Sequence, residues 1–510
     1  MSRQTVAILD FGSQYTQLIA RRVRELNVYS EIFPNNISSD SLKDKNVSAI
    51  ILSGGPSSVF SKNAPSIDSK ILEFGVPILG ICYGMQLLVK HFGGGVRHEN
   101  KGEYGKSIIK IVSDSLLFKG FLDKSIIWMS HGDLVFDCPA NFDVVAYSEN
   151  NIITSIADYE NQLYGVQFHP EVNHTEEGYQ LLKNFLFNLS NNKKDWTAKN
   201  FVSESIDKIK DDVCNSKVIC GLSGGVDSSV MGVLIDKALP DQVKYVFIDH
   251  GLLRMDEDRD VIESLREIGL DVQCYDYSDS FFSALEGVTD PEEKRKVIGR
   301  MFIESFEDVI SEHSDYKFLA QGTLYPDVIE SGVGINASVI KSHHNVGGLP
   351  EDMSFELIEP MRDLFKDEVR RVGDSLGMPA NLVYRHPFPG PGLGVRIIGE
   401  VTKPRVLMLQ HADKIFIETL RSEEEYDNIW QAFAVLVPVK TVGVMGDSRT
   451  YENLVALRAV TSTDGMTADW YKMPSSVLDI CSTRIINEVK GINRVVYDVT
   501  SKPPGTIEWE

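Results

Sequence analysis

Cysteine is scarce in this 510-residue chain. The six present (Cys82, Cys138, Cys214, Cys220, Cys274 and Cys481) form no Cys-x-x-Cys pair and no zinc-ligand spacing. A large chain with so few thiols does not depend on disulfides, so each cysteine defaults to core filler unless its neighbours say otherwise. Long hydrophobic runs are missing too: none approaches the ~18 residues of a membrane span. The opening residues, Met1-Ser-Arg-Gln-Thr, lead straight into a strand-like segment and lack the layout of a signal peptide, so a cytoplasmic location is expected. Positive charge is in deficit, with 51 Lys and Arg against 73 Asp and Glu, a net charge of −22. Phosphate backbones and anionic lipid need clustered basic residues, so neither nucleic acid nor membrane is expected as a partner. A nucleotide substrate would have to be held by a local basic pocket and a divalent cation.

What is present reads as alternating strands and helices. Val6-Ala-Ile-Leu9 precedes an amphipathic helix near Gln14–Leu26, Ala49–Leu52 ends in Ser53-Gly-Gly-Pro56, and Val76–Ile81 ends in Cys82. That order is the α/β signature. The polar run Asn191–Trp196 follows a helix-like Tyr179–Leu189 and reads as a linker. A second α/β pattern follows, with strands at Val218-Ile219 and Lys244–Ile248. Pro387–Gly392 is too rich in Pro and Gly for regular structure and marks a boundary or hinge. Beyond it lies a smaller α+β segment with strand candidates Lys440–Val444 and Arg494–Val499. The expectation is α/β: two doubly wound α/β domains, 1–192 and 200–390, plus a C-terminal α+β unit, 391–510.

Two sites stand out. Gly80-Ile-Cys-Tyr-Gly84 places Cys82 between glycines at a strand-to-helix turn, the cysteine counterpart of a G-x-S-x-G elbow. The helix N-terminus that follows favours thiolate. Phe168-His-Pro-Glu171 supplies His169 as a base and Glu171 to orient it and stabilise its imidazolium. A lone cysteine in an apolar run is normally core, but this pairing within one segment points to catalysis. The second site is Ser223-Gly-Gly-Val-Asp-Ser-Ser229, between the strand-like Lys217–Leu222 and the helix-like Val230–Lys237. Backbone N–H groups and the helix dipole make such a turn an anion cradle. The spacing is not that of a Walker loop, which needs a Lys after Gly-x4-Gly.

The cysteine constellation resembles class I glutamine amidotransferases over residues ~4–190, which implies glutamine hydrolysis through a γ-glutamyl thioester. By that resemblance Ser53–Pro56 supplies one oxyanion-hole N–H from Gly55 and Tyr83 supplies the second, each typically worth about 10²–10³ in rate. It also implies that Gln86 and, in Met129-Ser-His-Gly-Asp133, Ser130, His131 and Asp133 line the glutamine pocket. The loop Ser223, Gly224, Gly225, Val226, Asp227, Ser228 and Ser229 resembles that of ATP pyrophosphatases, which break ATP between its α and β phosphates.

Joined on one chain, the two resemble the glutamine-hydrolysing GMP synthase family. The further runs that carry this are Val246–Arg254, Gln321–Ser331, Ile340–Pro350, Leu364–Arg370, Arg385–Leu393 and Lys502–Glu510. The resemblance implies amination of xanthosine monophosphate (XMP) to GMP through an adenylated intermediate, with ATP, XMP and glutamine as substrates. It implies Mg²⁺ near Asp227, Lys366 at the ATP phosphates, and a lid carrying Asp327, Glu330 and Lys341. An XMP pocket is implied at Arg300, Gln431, Arg494, Lys502, Ile507 and Glu508, and the last ~120 residues are implied to form a homodimer. Two other ATP pyrophosphatase readings compete. Glutamine-dependent NAD synthetase uses a nitrilase-type glutaminase, unlike this cysteine site. A tRNA-thiolating enzyme needs a positive surface, unlike this charge. A regulatory module that binds without turnover is disfavoured by the intact Cys82, His169, Glu171 and Asp227.

Overall fold

The structure, a computed structural model, describes residues 3–122, 124–311, 315–330, 355–445, 448–462, 465 and 467–510. The chain forms two compact units, Met1–Asn200 and Phe201–Glu510. Among the described residues no helix is long and apolar enough to cross a membrane.

Among its described residues the first unit is built on nine strands: β1 Thr5–Asp10, β2 Ser30–Pro34, β3 Val47–Leu52, β4 Ile78–Ile81, β5 Gly95–Ile111, β6 Ile126–Asp137, β7 Asp143–Ser148, β8 Ile153–Asp158 and β9 Leu163–Val166. They form one sheet in the order β2-β1-β3-β4-β9-β8-β7-β5-β6. From β2 to β9 the pairings are parallel; from β9 to β6 they are antiparallel. The parallel strands are buried on both faces, which is why β1 and β3 read as continuous apolar runs rather than alternations. The helix expected at Gln14–Leu26 spans Thr16–Glu25 and buries Ile19, Ala20 and Val23. β3, β4 and β9 are neighbours and parallel, so their carboxyl ends open on one edge, where such sheets hold ligands.

The segment read as a linker, Asn191–Trp196, is partly buried. Asn192 accepts a hydrogen bond from Ser48 Oγ at 2.6 Å, and Trp196 donates its N–H to Asn27 O at 3.0 Å. The Trp196 ring packs 4.8 Å from Tyr29, with the Arg3 and Arg24 guanidinium groups over its face. A large aromatic ring outweighs its polar neighbours and ties the run to the first unit.

Among its described residues the second unit holds two sheets. β10 Val218–Leu222, β11 Val243–Asp249, β12 Val272–Asp276, β13 Phe318–Ala320 and β14 Glu356–Ile358 form an all-parallel sheet ordered β12-β11-β10-β13-β14. Chain order reverses at β10, so the crevice beyond its carboxyl end is the topological switch point. β15 Gln431–Met445, β16 Ser448–Thr461, β17 Asp469–Trp470 and β18 Ile492–Tyr497 form the other. β16 pairs antiparallel with β15 and β17 and parallel with β18. Side chains alternate along β15: Ala432, Ala434 and Leu436 join a core that also contains Ile219 and Val246 of the parallel sheet, while Phe433 and Val435 pack with Ile507. One core thus runs through both sheets. Pro387–Gly392 lies against it: Leu393 N–H donates to Leu252 O at 2.7 Å, and Gly392 (φ 61°) leaves no room for a Cβ, which would sit 2.3 Å from that oxygen.

Candidate active site

Cys82 caps β4 with φ 51° and ψ −102°, a strained conformation for a residue with a side chain. The flanking glycines make the turn possible. A Cβ on Gly80 would lie 2.6 Å from Met85 N, and one on Gly84 would lie 2.4 Å from Leu52 O. The helix Tyr83–His91 starts immediately, and its first N–H groups have no intrahelical acceptor. Gly84 N–H is taken by Ser53 O at 3.2 Å, which clamps the 53–55 loop onto the elbow. Tyr83 is buried. Gly55 sits against Phe11 so closely that a Cβ would be 2.7 Å from Phe11 O, and Gly54 faces the site itself, its Cβ position 3.0 Å from His169 Cε1 and 3.7 Å from Cys82 Cβ.

His169 follows β9, the strand beside β4. Its Nδ1 is 2.7 Å from Glu171 Oε1, and both residues are buried. Burial alone would push the imidazole down. The Glu171 carboxylate and the hydrogen-bonded Cys82 outweigh it and hold the ring well above the usual histidine range. Thr175 Oγ1 donates to His169 O at 2.7 Å, and Arg22 Nε donates to Glu171 O at 3.0 Å, so the turn that presents the pair is fixed on both sides. Cys82, His169 and Glu171 are therefore brought together from separate segments.

Around them lie the residues expected in the glutamine pocket. Ser130 O accepts from the Cys82 thiol at 3.8 Å. His131 is buried, and that burial lowers its pKa; its Nδ1 donates to Asp133 O at 2.9 Å. Asp133 Oδ1 is 2.7 Å from His98 Nδ1. Gln86 is buried and donates from Nε2 to Asp133 O at 2.9 Å. Sequence reasoning passed over Gln167, whose Nε2 reaches Cys82 Sγ at 3.7 Å. Nothing local in the sequence marks it, because its partners Cys82 and Gln86 come from other segments.

The phosphate-loop candidate follows β10. Gly224 takes φ +73°, and the helix Val226–Ala238 starts after Gly225. The loop is braced internally: Ser223 N–H donates to Ser228 Oγ at 3.2 Å, and Ser229 Oγ donates to Gly225 O at 2.9 Å. The first helical hydrogen bond is Ser229 N–H to Gly225 O, so the N–H groups of Val226, Asp227 and Ser228 have no intrahelical acceptor. Lys366, at the start of the helix Lys366–Leu376, has Nζ 3.4 Å from Asp227 Oδ2. Asp227 Oδ1 and Gln321 Oε1 are buried with no hydrogen-bond partner among the described residues. Arg385, not anticipated as a site residue, binds the Gly224 carbonyl and Glu257, and Glu257 Oε2 accepts Arg254 N–H at 2.9 Å.

Of the lid candidates, Asp327 Oδ2 accepts Leu324 N–H at 3.0 Å, Glu330 ends the helix Tyr325–Glu330, and Lys341 lies outside the described residues. The XMP candidates divide. Gln431 Nε2 donates to Glu508 Oε1 at 2.7 Å, and neighbouring Ile507 is buried. Lys502 Nζ donates to Gly465 O at 2.8 Å. Arg300 is exposed on the helix Pro291–Ser311, 3.6 Å from Glu304. Arg494 stands apart from Gln431: its register partner is Leu454, that of Gln431 is Val460, and six residues of strand span ~20 Å. Two buried arginines unforeseen from the sequence organise the cluster. Arg396 forks onto Glu508, and Arg458 donates to the carbonyls of Ile507, Thr500 and Thr506.

Three family models match successive parts of the chain: Glutamine amidotransferase class-I over residues 7–189, NAD synthase over 196–299, and GMP synthase C terminal domain over 418–509. Full-length relatives agree. The GMP synthase [glutamine-hydrolyzing] of Brachyspira hyodysenteriae is 54% identical over 99% of both chains. That of Aquifex aeolicus is 54% identical over 100% of both, and that of Thermosipho africanus 53% over 99% of this chain and 100% of its own. The NAD synthase match is confined to the segment around the phosphate loop, whereas these relatives cover both sites and the segment beyond. The chain belongs to the glutamine-hydrolysing GMP synthase family.

Proposed function

We propose that the chain aminates XMP to GMP at the expense of ATP, using ammonia that it releases from glutamine. The observation that carries this reading is the strained Cys82 elbow facing a buried His169–Glu171 pair, on a chain that also holds a braced phosphate loop at a switch point. In the first half-reaction the Cys82 proton passes to His169 and the sulfur attacks the glutamine δ-carbon. The oxyanion is met by the N–H groups of Gly55 and Tyr83. Collapse breaks the C–N bond, ammonia leaves with the His169 proton, and water then cleaves the thioester to glutamate. Gln86, Ser130, His131 and Asp133 line the pocket.

In the second half-reaction the XMP C2 oxygen attacks the α-phosphate, pyrophosphate leaves, and ammonia displaces AMP from C2. The free N–H groups at the start of the helix Val226–Ala238 and the Lys366 ammonium suit the departing pyrophosphate. Asp227 Oδ1, buried and without a partner among the described residues, suits Mg²⁺, which takes one or two carboxylates and completes its shell with phosphate oxygens and water. Bound there, the ion would neutralise phosphate charge. Asp327, Glu330 and Lys341 would belong to the lid. Gln431, Lys502, Ile507 and Glu508 would serve XMP, with Arg300 proposed beside them; Arg494, ~20 Å along the sheet from Gln431, would not share that pocket within one chain.

A homodimer fits the exposed apolar residues Val439, Val442, Val444 and Tyr451 of β15 and β16, a patch of the kind that subunit contacts cover. A cytoplasmic location completes the reading. The test is XMP consumption, followed by ultraviolet absorbance with ATP and Mg²⁺, for wild type and Cys82→Ala, with glutamine or an ammonium salt as nitrogen source. The variant is expected to lose the glutamine reaction and keep the ammonium one. Failure of wild type to consume XMP refutes the acceptor, and glutamine use by Cys82→Ala refutes the nucleophile.

A further inference from the structure

Gln167 is fully buried, and its main chain extends the β9–β8 pairing by donating N–H to Thr154 O at 2.9 Å. Its side-chain amide lies between Cys82 and Gln86. An amide's two ends are told apart only by their partners, and here Gln86 tells them apart. Gln86 Nε2 is a donor anchored on Asp133 O at 2.9 Å, and it also faces Gln167 Oε1 at 3.4 Å. Asp133 O is fixed in turn by His131 Nδ1 at 2.9 Å. Turning the Gln167 amide over would set two NH₂ groups against each other and aim an oxygen at the sulfur. The orientation that satisfies every partner directs Gln167 Nε2–H at Cys82 Sγ, 3.7 Å away.

We propose that Gln167 is a further catalytic residue of glutamine hydrolysis, donating a hydrogen bond to the Cys82 sulfur and favouring its thiolate form. This rests on Cys82 being the nucleophile. In the resting thiol the S–H group donates to Ser130 O at 3.8 Å. When that proton moves to His169, the Ser130 contact loses its hydrogen, but the Gln167 donor stays and strengthens, because a hydrogen bond to an ionised acceptor is about twice as strong as a neutral one. His169, backed by Glu171, is hydrogen-bonded to the Cys82 side chain, and His131 on β6, whose Nε2 is 3.8 Å from Glu103 Oε2 of β5, interacts electrostatically with His169. Burial holds His131 toward its neutral form, which leaves the imidazolium of His169 as the positive partner of the sulfur. A fixed amide donor adds to that stabilisation without a second charge. It acts twice: on the attacking thiolate, and on the thiolate that departs when water cleaves the thioester.

The test is the pH dependence of Cys82 alkylation by iodoacetamide in the full-length protein, followed on the Cys82 peptide by mass spectrometry. Gln167→Met keeps the volume and removes the donor. Gln167→Glu also removes the donor while keeping an acceptor for Gln86. The midpoint of the profile is expected to rise by about one pH unit in Gln167→Met, a tenfold change in the ionisation equilibrium, and further in Gln167→Glu, which places negative charge beside the sulfur. Turnover with glutamine should fall about tenfold or more, and amination with ammonium should persist. A wild-type midpoint in both variants overturns the proposal. Should Gln167→Met lose its cooperative thermal transition, the Gln167→Glu profile decides by the same criterion. Glutamine use by Cys82→Ala overturns the nucleophile assignment itself, whereas an inactive Cys82→Ala with unshifted Gln167 profiles overturns only the role of Gln167.

Discussion

Arg396 and Glu508, 112 positions apart, meet as a fork, with Nε 3.0 Å from Oε2 and Nη2 2.8 Å from Oε1. The guanidinium is fully buried over the ring of Phe433, 4.1 Å from its centroid. Gln431 adds a third donor to the same carboxylate. The orientation of Glu508 is thus set by two side chains that need no ligand.

Replacing that fork with a point charge tests whether the orientation matters. Arg396→Lys keeps one charge and loses the planar pair of donors, a difference on the order of 2 kcal/mol for charge-assisted bonds. The expected outcome is a KM for XMP raised about tenfold or more with a smaller change in kcat, measured by initial rates at saturating ATP and ammonium. An unchanged KM would detach Glu508 from the acceptor nucleotide.

Glu171→Gln removes the carboxylate that orients His169 and raises its pKa. Turnover with glutamine should fall about 10²- to 10⁴-fold, as in other triads that lose their orienting acid, while ammonium-dependent amination persists. The folded-state pKa of His169 is raised above 6.5, so its pairing stabilises fully below that value and the contribution fades as pH rises through the higher folded value. Thermal midpoints of wild type and variant should therefore differ most at or below pH 6.5 and converge at alkaline pH.

His250 and His386 behave in the opposite sense. Burial first, opposed for His250 by Glu257, pushes each down from 6.5 to about 4. Each is neutral in the folded chain and protonates more readily when unfolded. Their stabilisation is present above pH 6.5 and is lost as pH falls toward 4. His250→Asn keeps an acceptor for Leu252 N–H, which now bonds to Nδ1 at 3.1 Å. The variant should show a shallower fall in thermal midpoint between pH 6.5 and 4, followed by differential scanning calorimetry.

Removing residue 510 should destabilise the second unit by about 3–5 kcal/mol, the typical effect of stripping a buried ion of its partner. Lys294 is fully buried and pairs with the Glu510 carboxylate, its Nζ also donating to Ile397 O at 2.6 Å. Burial pulls the Lys294 pKa down, and Glu510 opposes the pull. Lys294→Met in the shortened chain should recover much of the loss in a urea titration; no recovery would place the effect elsewhere in the 507–510 segment.

The elbow, the His169–Glu171 pair and the phosphate loop were legible in the sequence because each is local: glycines at a strand end, a base two residues from its acid, and small polar residues before a helix dictate their own geometry. Gln167 and Arg396 were not, because their meaning lies in partners from other segments. A glutamine in Gly-Val-Gln-Phe-His says nothing until Gln86 orients it, and an arginine in Gly-Leu-Gly-Val-Arg looks like a surface residue until Glu508 reaches it from 112 positions away. The run 191–196 precedes the boundary between the two units, but its anchoring was not legible, because Asn192 and Trp196 find their partners at Ser48 and Asn27. Arg494 shows the converse: family position grouped it with Gln431, but strand register separates them along β16.

The distance along the chain between Lys294 and Glu510 also bears on how the protein is made. The strands and the cysteine site of the first unit are complete within 200 residues. At a ribosomal rate of about 5–20 residues per second, the 216 positions between Lys294 and its carboxylate take roughly 10–40 seconds to emerge. Through that interval a lysine destined for the interior has no counterion, and the core shared by the two sheets stays open on the side that β15, β16 and β18 will close. The first unit can be native while the second is still a nascent chain, its apolar core exposed to water for the whole of that interval.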